Sequence, residues 1–197
     1  MDMMQFERNR ELLLAVELGQ ADRVQRLIRD GAQVETVGIF GRRPLHTAAV
    51  DGNLPVVKCL LENGANIHAQ ANDDWQALHF AAERGRREVV EHLLAAGARI
   101  DAVDNCGRQA LHHAVEGGYI WAMEALLKAG ASPSAKDKFG KTPFDFSKDN
   151  TEVRAILQEW SSPEFLEERR QAANTKAVRD HWKRVRRHIA TGPKPGL

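Results

Sequence analysis

The sequence predicts an all-α solenoid: short antiparallel helix pairs stacked in a row, joined by β-turn tips, with one more helix at the C-terminus. Three observations predict it. Glycines recur every 33 residues in two series, Gly19, Gly52, Gly85, Gly118 and Gly31, Gly64, Gly97, Gly130. Apolar pairs follow the same spacing at Leu27–Ile28, Leu60–Leu61, Leu93–Leu94 and Leu126–Leu127. A Leu-His step recurs in "RPLHTAAVDG" (43–52), "QALHFAAERG" (76–85) and "QALHHAVEGG" (109–118), which places His46, His79 and His112 one period apart. Series that agree in register over several units mark a repeat array. A composition of 43% hydrophobic and 28% charged residues over 197 residues suits an array with much surface per residue.

Each repeat divides the same way. A turn comes first, as in "DNCGRQ" (104–109), where Gly107 supplies backbone freedom. A first helix follows, whose small residues Ala48–Ala49, Ala81–Ala82 and Ala114 allow neighbouring helices to approach closely. Gly52, Gly85 and Gly118 end it. The second helix carries an apolar stripe, Val57, Leu60 and Leu61 in one repeat and Val90, Leu93 and Leu94 in the next. Gly64 and Gly97 close that helix. One such pair cannot bury its own stripe. Burying a leucine contributes roughly 1.5–3 kcal/mol, so the pairs must stack.

These segments resemble the ankyrin-repeat family. "RPLHTAA", "QALHFAA" and "QALHHAV" match its Thr-Pro-Leu-His-x-Ala-Ala stretch, and "VVKCLLENGAN", "VVEHLLAAGAR" and "AMEALLKAGAS" match its second helix and closing Gly-Ala. The expected repeat domain spans residues 1–161, with units at about 8–40, 41–73, 74–106, 107–139 and 140–161. The first unit has Leu13 in the histidine slot. The last, "KTPFDFSKDNTEVRAIL" (141–157), lacks about three residues at its inter-helix turn. Both departures suit capping units.

The resemblance implies a structural role for His46, His79 and His112, bonding backbone groups in the turns and fixing neighbouring repeats. A neutral imidazole offers one donor and one acceptor, which suits that role. Residues one repeat apart stand about 10 Å from each other, too far to share a metal ion. The sequence contains no GxxxxGK[ST] loop and no GxGxxG. We therefore expect no enzyme, no metal and no cofactor. Cys59 and Cys106 have neither metal spacing nor a disulfide framework. No secretory signal and no run of ~20 apolar residues stands out, which leads us to expect a soluble, monomeric protein of the cytoplasm or nucleus. His68 and Asp101 occupy a slot where related repeats can be hydroxylated by an iron- and oxoglutarate-dependent oxygenase.

The resemblance also implies that the turn tips and first-helix faces line a concave surface where another protein binds, with this chain acting as scaffold, adaptor or inhibitor. The 33-residue register places Ile39, Phe40, Arg42, Trp75, Arg108, Phe139 and Lys141 at the tips and Phe80, Arg84 and His113 on first helices. Aromatic and arginine side chains in a row suit an interface. The alternative is that Phe40 and Phe139 tuck between turns and Phe80 packs onto the next helix. Tyr119 and Trp121 lie near the rim, as a second anchor or a contact for the tail.

Residues 162–190 break the repeat and read as a basic amphipathic helix, followed by a flexible tail at 191–197. Ser162 and Pro163 suit a helix start. Val178, Trp182, Val185 and Ile189 form one face, and Lys183, Arg184, Arg186 and Arg187 cover the others. Three readings stand: the stripe shields the last repeat; the helix binds a calmodulin-like partner or anionic lipid; or "KRVRR" acts as a nuclear-import signal or a nucleic-acid patch. The main alternative function is thus an adaptor to nucleic acid or a membrane surface, driven by Trp182, Lys183, Arg184, Arg186 and Arg187.

Overall fold

The structure is a computed structural model and describes residues 3–148 and 150–162. The tail residues Trp182, Lys183, Arg184, Arg186 and Arg187, and the helix expected around them, lie outside the described residues. The chain divides at Lys148 into two compact units.

In the first unit the helices are α1 (Met3–Glu17), α2 (Ala21–Arg29), α3 (Pro44–Asp51), α4 (Leu54–Glu62), α5 (Ala77–Glu83), α6 (Arg87–Ala95), α7 (Ala110–Glu116) and α8 (Ile120–Ala129). Each odd-numbered helix packs on the even-numbered one that follows it. Within the stack, α1, α3, α5 and α7 form one row and α2, α4, α6 and α8 the other. The solenoid is all-α, as the 33-residue register predicts. Its core is the predicted stripe: Val57, Leu60, Val90, Leu93, Leu126 and Leu127 are fully buried, with Ala48, Ala49, Ala81, Ala82 and Ala114 at the close approaches. In the second unit, α9 (Thr151–Ser161) starts where the Asn150 side chain accepts from the Val153 N–H at 3.1 Å.

The fifth repeat departs most. Its first helix shrinks to a 3₁₀ turn, Pro143–Phe146, which packs on α7. The missing residues at its inter-helix turn account for the loss. Asp145 stands in the histidine slot and accepts from the Thr142 N–H and hydroxyl at 2.7 and 2.8 Å. Those bonds hold its carboxyl below the usual range.

The four tips close alike but turn differently. Each begins with an N–H donated across the turn: Gly38 to Arg42, Ala71 to Trp75, Asp104 to Arg108 and Asp137 to Lys141, at 2.8–3.0 Å. In the last two tips, Asp104 Oδ1 accepts from the Cys106 and Arg108 N–H groups, and Asp137 Oδ1 accepts from Phe139 and Lys141. Gly38 and Ala71 cannot do this. Their tips instead turn through two left-handed residues, Phe40–Gly41 and Asp73–Asp74, near φ 60–70°. Asp74 occupies the slot that holds Gly41, Gly107 and Gly140 elsewhere. An L-residue there is strained, so Asp74→Gly is expected to stabilise the fold by about 0.5–1 kcal/mol. Calorimetric melting would show a raised Tm; an unchanged or lowered one would refute the strain.

Candidate functional site

The predicted histidines link tip to helix. Nδ1 of His46, His79 and His112 accepts from the N–H of Arg43, Gln76 and Gln109 at 3.0, 3.0 and 3.1 Å. With Nδ1 accepting, Nε2 carries the proton. His46 Nε2 donates to the Ala69 carbonyl at 2.8 Å and His79 Nε2 to Ala102 at 3.0 Å, in the chain leading to the next tip. His112 Nε2 has no well-formed partner among the described residues. All three rings are fully buried, and burial lowers each pKa below 6.5. They occupy both nitrogens, or bury them, in structural roles. Among the described residues no group of three His, Cys, Asp or Glu is placed to hold a metal ion.

Beside this buried row runs a second one, at the expected tip and first-helix contact positions. The Arg42 guanidinium lies over the Phe80 ring at 4.7 Å from its centroid, Trp75 meets His113 at 4.3 Å with the rings tilted by 48°, and Arg108 lies over Phe146 at 4.3 Å. These pairs are equivalent in the 33-residue register. In each, a tip residue covers a ring from the first helix of the next repeat. The register located every member but Phe146, and it did not separate the cover from the covered. Phe80 is 5% and His113 4% exposed, so both lie beneath the surface. This corrects the expectation that they meet a partner directly; Phe80 is packed beneath Arg42 and against His46 of the preceding first helix and Trp75. Trp75, Arg42 and Arg108, the residues on top, are half-buried.

His113 Nε2 also meets Asp104 Oδ2 at 3.1 Å. Burial, with His79 beside it, outweighs the pull of Asp104 and sets the His113 pKa to about 4. The buried Asp104 carboxylate therefore joins the second tip to the third: Trp75 lies on His113, and His113 is held by Asp104.

The other expected contact residues are exposed, and two of them border the row: Phe40 lies 6.0 Å from the Arg42 guanidinium and Lys141 Nζ lies 5.8 Å from the Phe146 ring centroid. Ile39, Phe40 and Phe139 are 77, 69 and 72% exposed, so the phenylalanines do not tuck between turns. Arg84 pairs with the adjacent Glu83 at 3.2 Å, and Lys141 is exposed. On the opposite side of the repeat, Tyr119 and Trp121 are 39 and 51% exposed, with Arg87 over the Trp121 ring at 5.5 Å. Cys106 sits half-buried on its tip, while burial raises the pKa of Cys59 and keeps it a thiol. His68 and Asp101 are exposed.

A family model described as ankyrin repeats in three copies matches residues 12–104, and one described as ankyrin repeats in many copies matches residues 93–147. No curated protein matches the chain.

Proposed function

We propose that this chain, which belongs to the ankyrin-repeat family, holds another protein on its concave face, where Trp75 is the central contact. Ankyrin repeats are in general protein-interaction modules, and the family is typically non-enzymatic. The mechanism is occupation of a surface, as scaffold, adaptor or inhibitor. One observation carries the reading: Trp75 is held against His113 and Phe80, with ring centroids 4.3 and 5.0 Å apart, yet it remains partly exposed at the middle of the tip row. A large ring held in place loses little entropy on binding, which is why tryptophan is common among residues that dominate interfaces. Exposed Ile39 and Phe40 on one side and Phe139 on the other extend the same row.

Affinity capture from cell lysate, quantified against the intact chain, tests this. Trp75→Ala combined with Phe139→Ala is expected to reduce recovery of the retained proteins about 30-fold or more, equivalent to 2 kcal/mol or above. Circular dichroism would verify that the variant is folded. Recovery of the same proteins at undiminished level would sink the concave-face reading.

A further inference from the structure

Arg42 and Arg108 occupy the same slot two repeats apart, and each lies over a ring in the same slot, Phe80 and Phe146. Their counter-ions differ. Arg108 meets Glu116 at 3.2 Å and Asp137 at 3.9 Å. The positions equivalent to Glu116 and Asp137 beside Arg42 are Val50 and Ala71. Arg42 has no ion pair among the described residues; the Nε atoms of both arginines are buried without a hydrogen-bond partner, so the contrast lies in the counter-ions alone. Neighbouring charges are already used: Arg43 pairs with Glu35 at 3.1 Å and donates to the Gln70 carbonyl at 2.7 Å, and Arg84 pairs with Glu83. The chain thus carries two copies of one guanidinium–ring stack, one neutralised internally and one not.

From this contrast we infer that Arg42 is the anion-receiving residue of the concave face and takes a carboxylate from an Asp or Glu side chain of the partner, next to an apolar side chain seated on Trp75. The inference deepens the concave-face reading and rests on it. The stack on Phe80 fixes the guanidinium plane, which favours the planar two-point bonding a carboxylate offers. The local charge favours a monoanion over a phosphate. Arg42 is the single unpaired cation at its tip, and the next tip carries Asp73 and Asp74, which repel a dianion.

A random peptide display library selected on the full chain tests the assignment. The selected peptides are expected to carry Asp or Glu beside an apolar or aromatic residue. They should bind Arg42→Gln at least about tenfold more weakly, and bind Arg99→Gln, which changes an exposed arginine outside the tips and first helices, as they bind the intact chain. Val50→Glu guards against a merely misfolded variant. It returns to Arg42 the counter-ion that Arg108 has, so it should raise the melting temperature while weakening the same peptides about tenfold. Peptides that need Trp75 but lack acidic residues, or that bind Arg42→Gln or Val50→Glu undiminished, would overturn the inference alone. So would tighter binding of a phosphoserine peptide than of its aspartate counterpart. If no peptide binds, or binding survives Trp75→Ala, the concave-face reading fails and this inference with it.

Discussion

His79→Ala is expected to lower stability by about 3–4 kcal/mol, among the largest losses any single change here can cause. The ring is fully buried and satisfies two backbone groups, the Gln76 N–H and the Ala102 carbonyl. Alanine leaves both without a partner away from water, at about 1–3 kcal/mol for each unmade bond. It also opens a cavity beside Trp75 and His113, whose ring centroids lie 6.1 and 5.8 Å from that of His79. The repeat supplies its own control. His112 makes the first bond but no well-formed second one. His112→Ala is therefore expected to cost about 1 kcal/mol less. Urea unfolding followed by circular dichroism would compare the two. Equal losses would show that the bond from Nε2 to the following chain contributes nothing.

The fold was legible because its information is local and repeated. Gly52 and Gly85 end first helices with φ of 77° and 65°, as the spacing predicted, and the Leu-His step placed each ring one turn into its helix. The surface was legible only in part. Register assigns a residue to a face but not to a depth. Phe80 and His113 share one first-helix slot with Thr47, yet each is buried because a bulky tip residue from the preceding repeat, Arg42 or Trp75, lies over it. That contact joins residues 38 apart in sequence, beyond the reach of any helical or 33-residue periodicity. The tips hid a second distinction. Whether a tip turns through one left-handed residue or two follows from the presence of Asp104 and Asp137 against Gly38 and Ala71. That signal was in the sequence. Reading it required asking which carboxylate satisfies the turn's N–H groups.

Acidification from pH 7 to about 4.5 is expected to destabilise the repeats steeply. Four buried histidines, His46, His79, His112 and His113, have folded-state pKa values lowered below 6.5, mainly by burial. Between the unfolded value near 6.5 and each lowered folded value, the unfolded chain binds more protons than the folded one. Stability is thus fully present above pH ~6.5 and is lost as pH falls through the window toward the folded values. Each histidine that protonates only on unfolding contributes a slope of about 1.4 kcal/mol per pH unit. Their contributions add over the range in which each ring stays neutral in the fold. His113, with a folded value of about 4, stays neutral through most of that range. The groups facing it act in both directions: His79 and Arg108 oppose its protonation and Asp104 favours it, but burial is the largest influence. Asp145 acts in the same direction only below pH ~4, since its carboxyl is lowered by Thr142. Urea midpoints measured from pH 8 to 4.5 would trace the slope. His113→Phe, which puts in that slot the residue found at Phe80 and Phe146, should reduce it by about one proton. A midpoint that stays flat down to pH 5 would mean that the buried rings take up protons without unfolding, and that the bonds from Nδ1 to the tips are not what holds the helix starts in place.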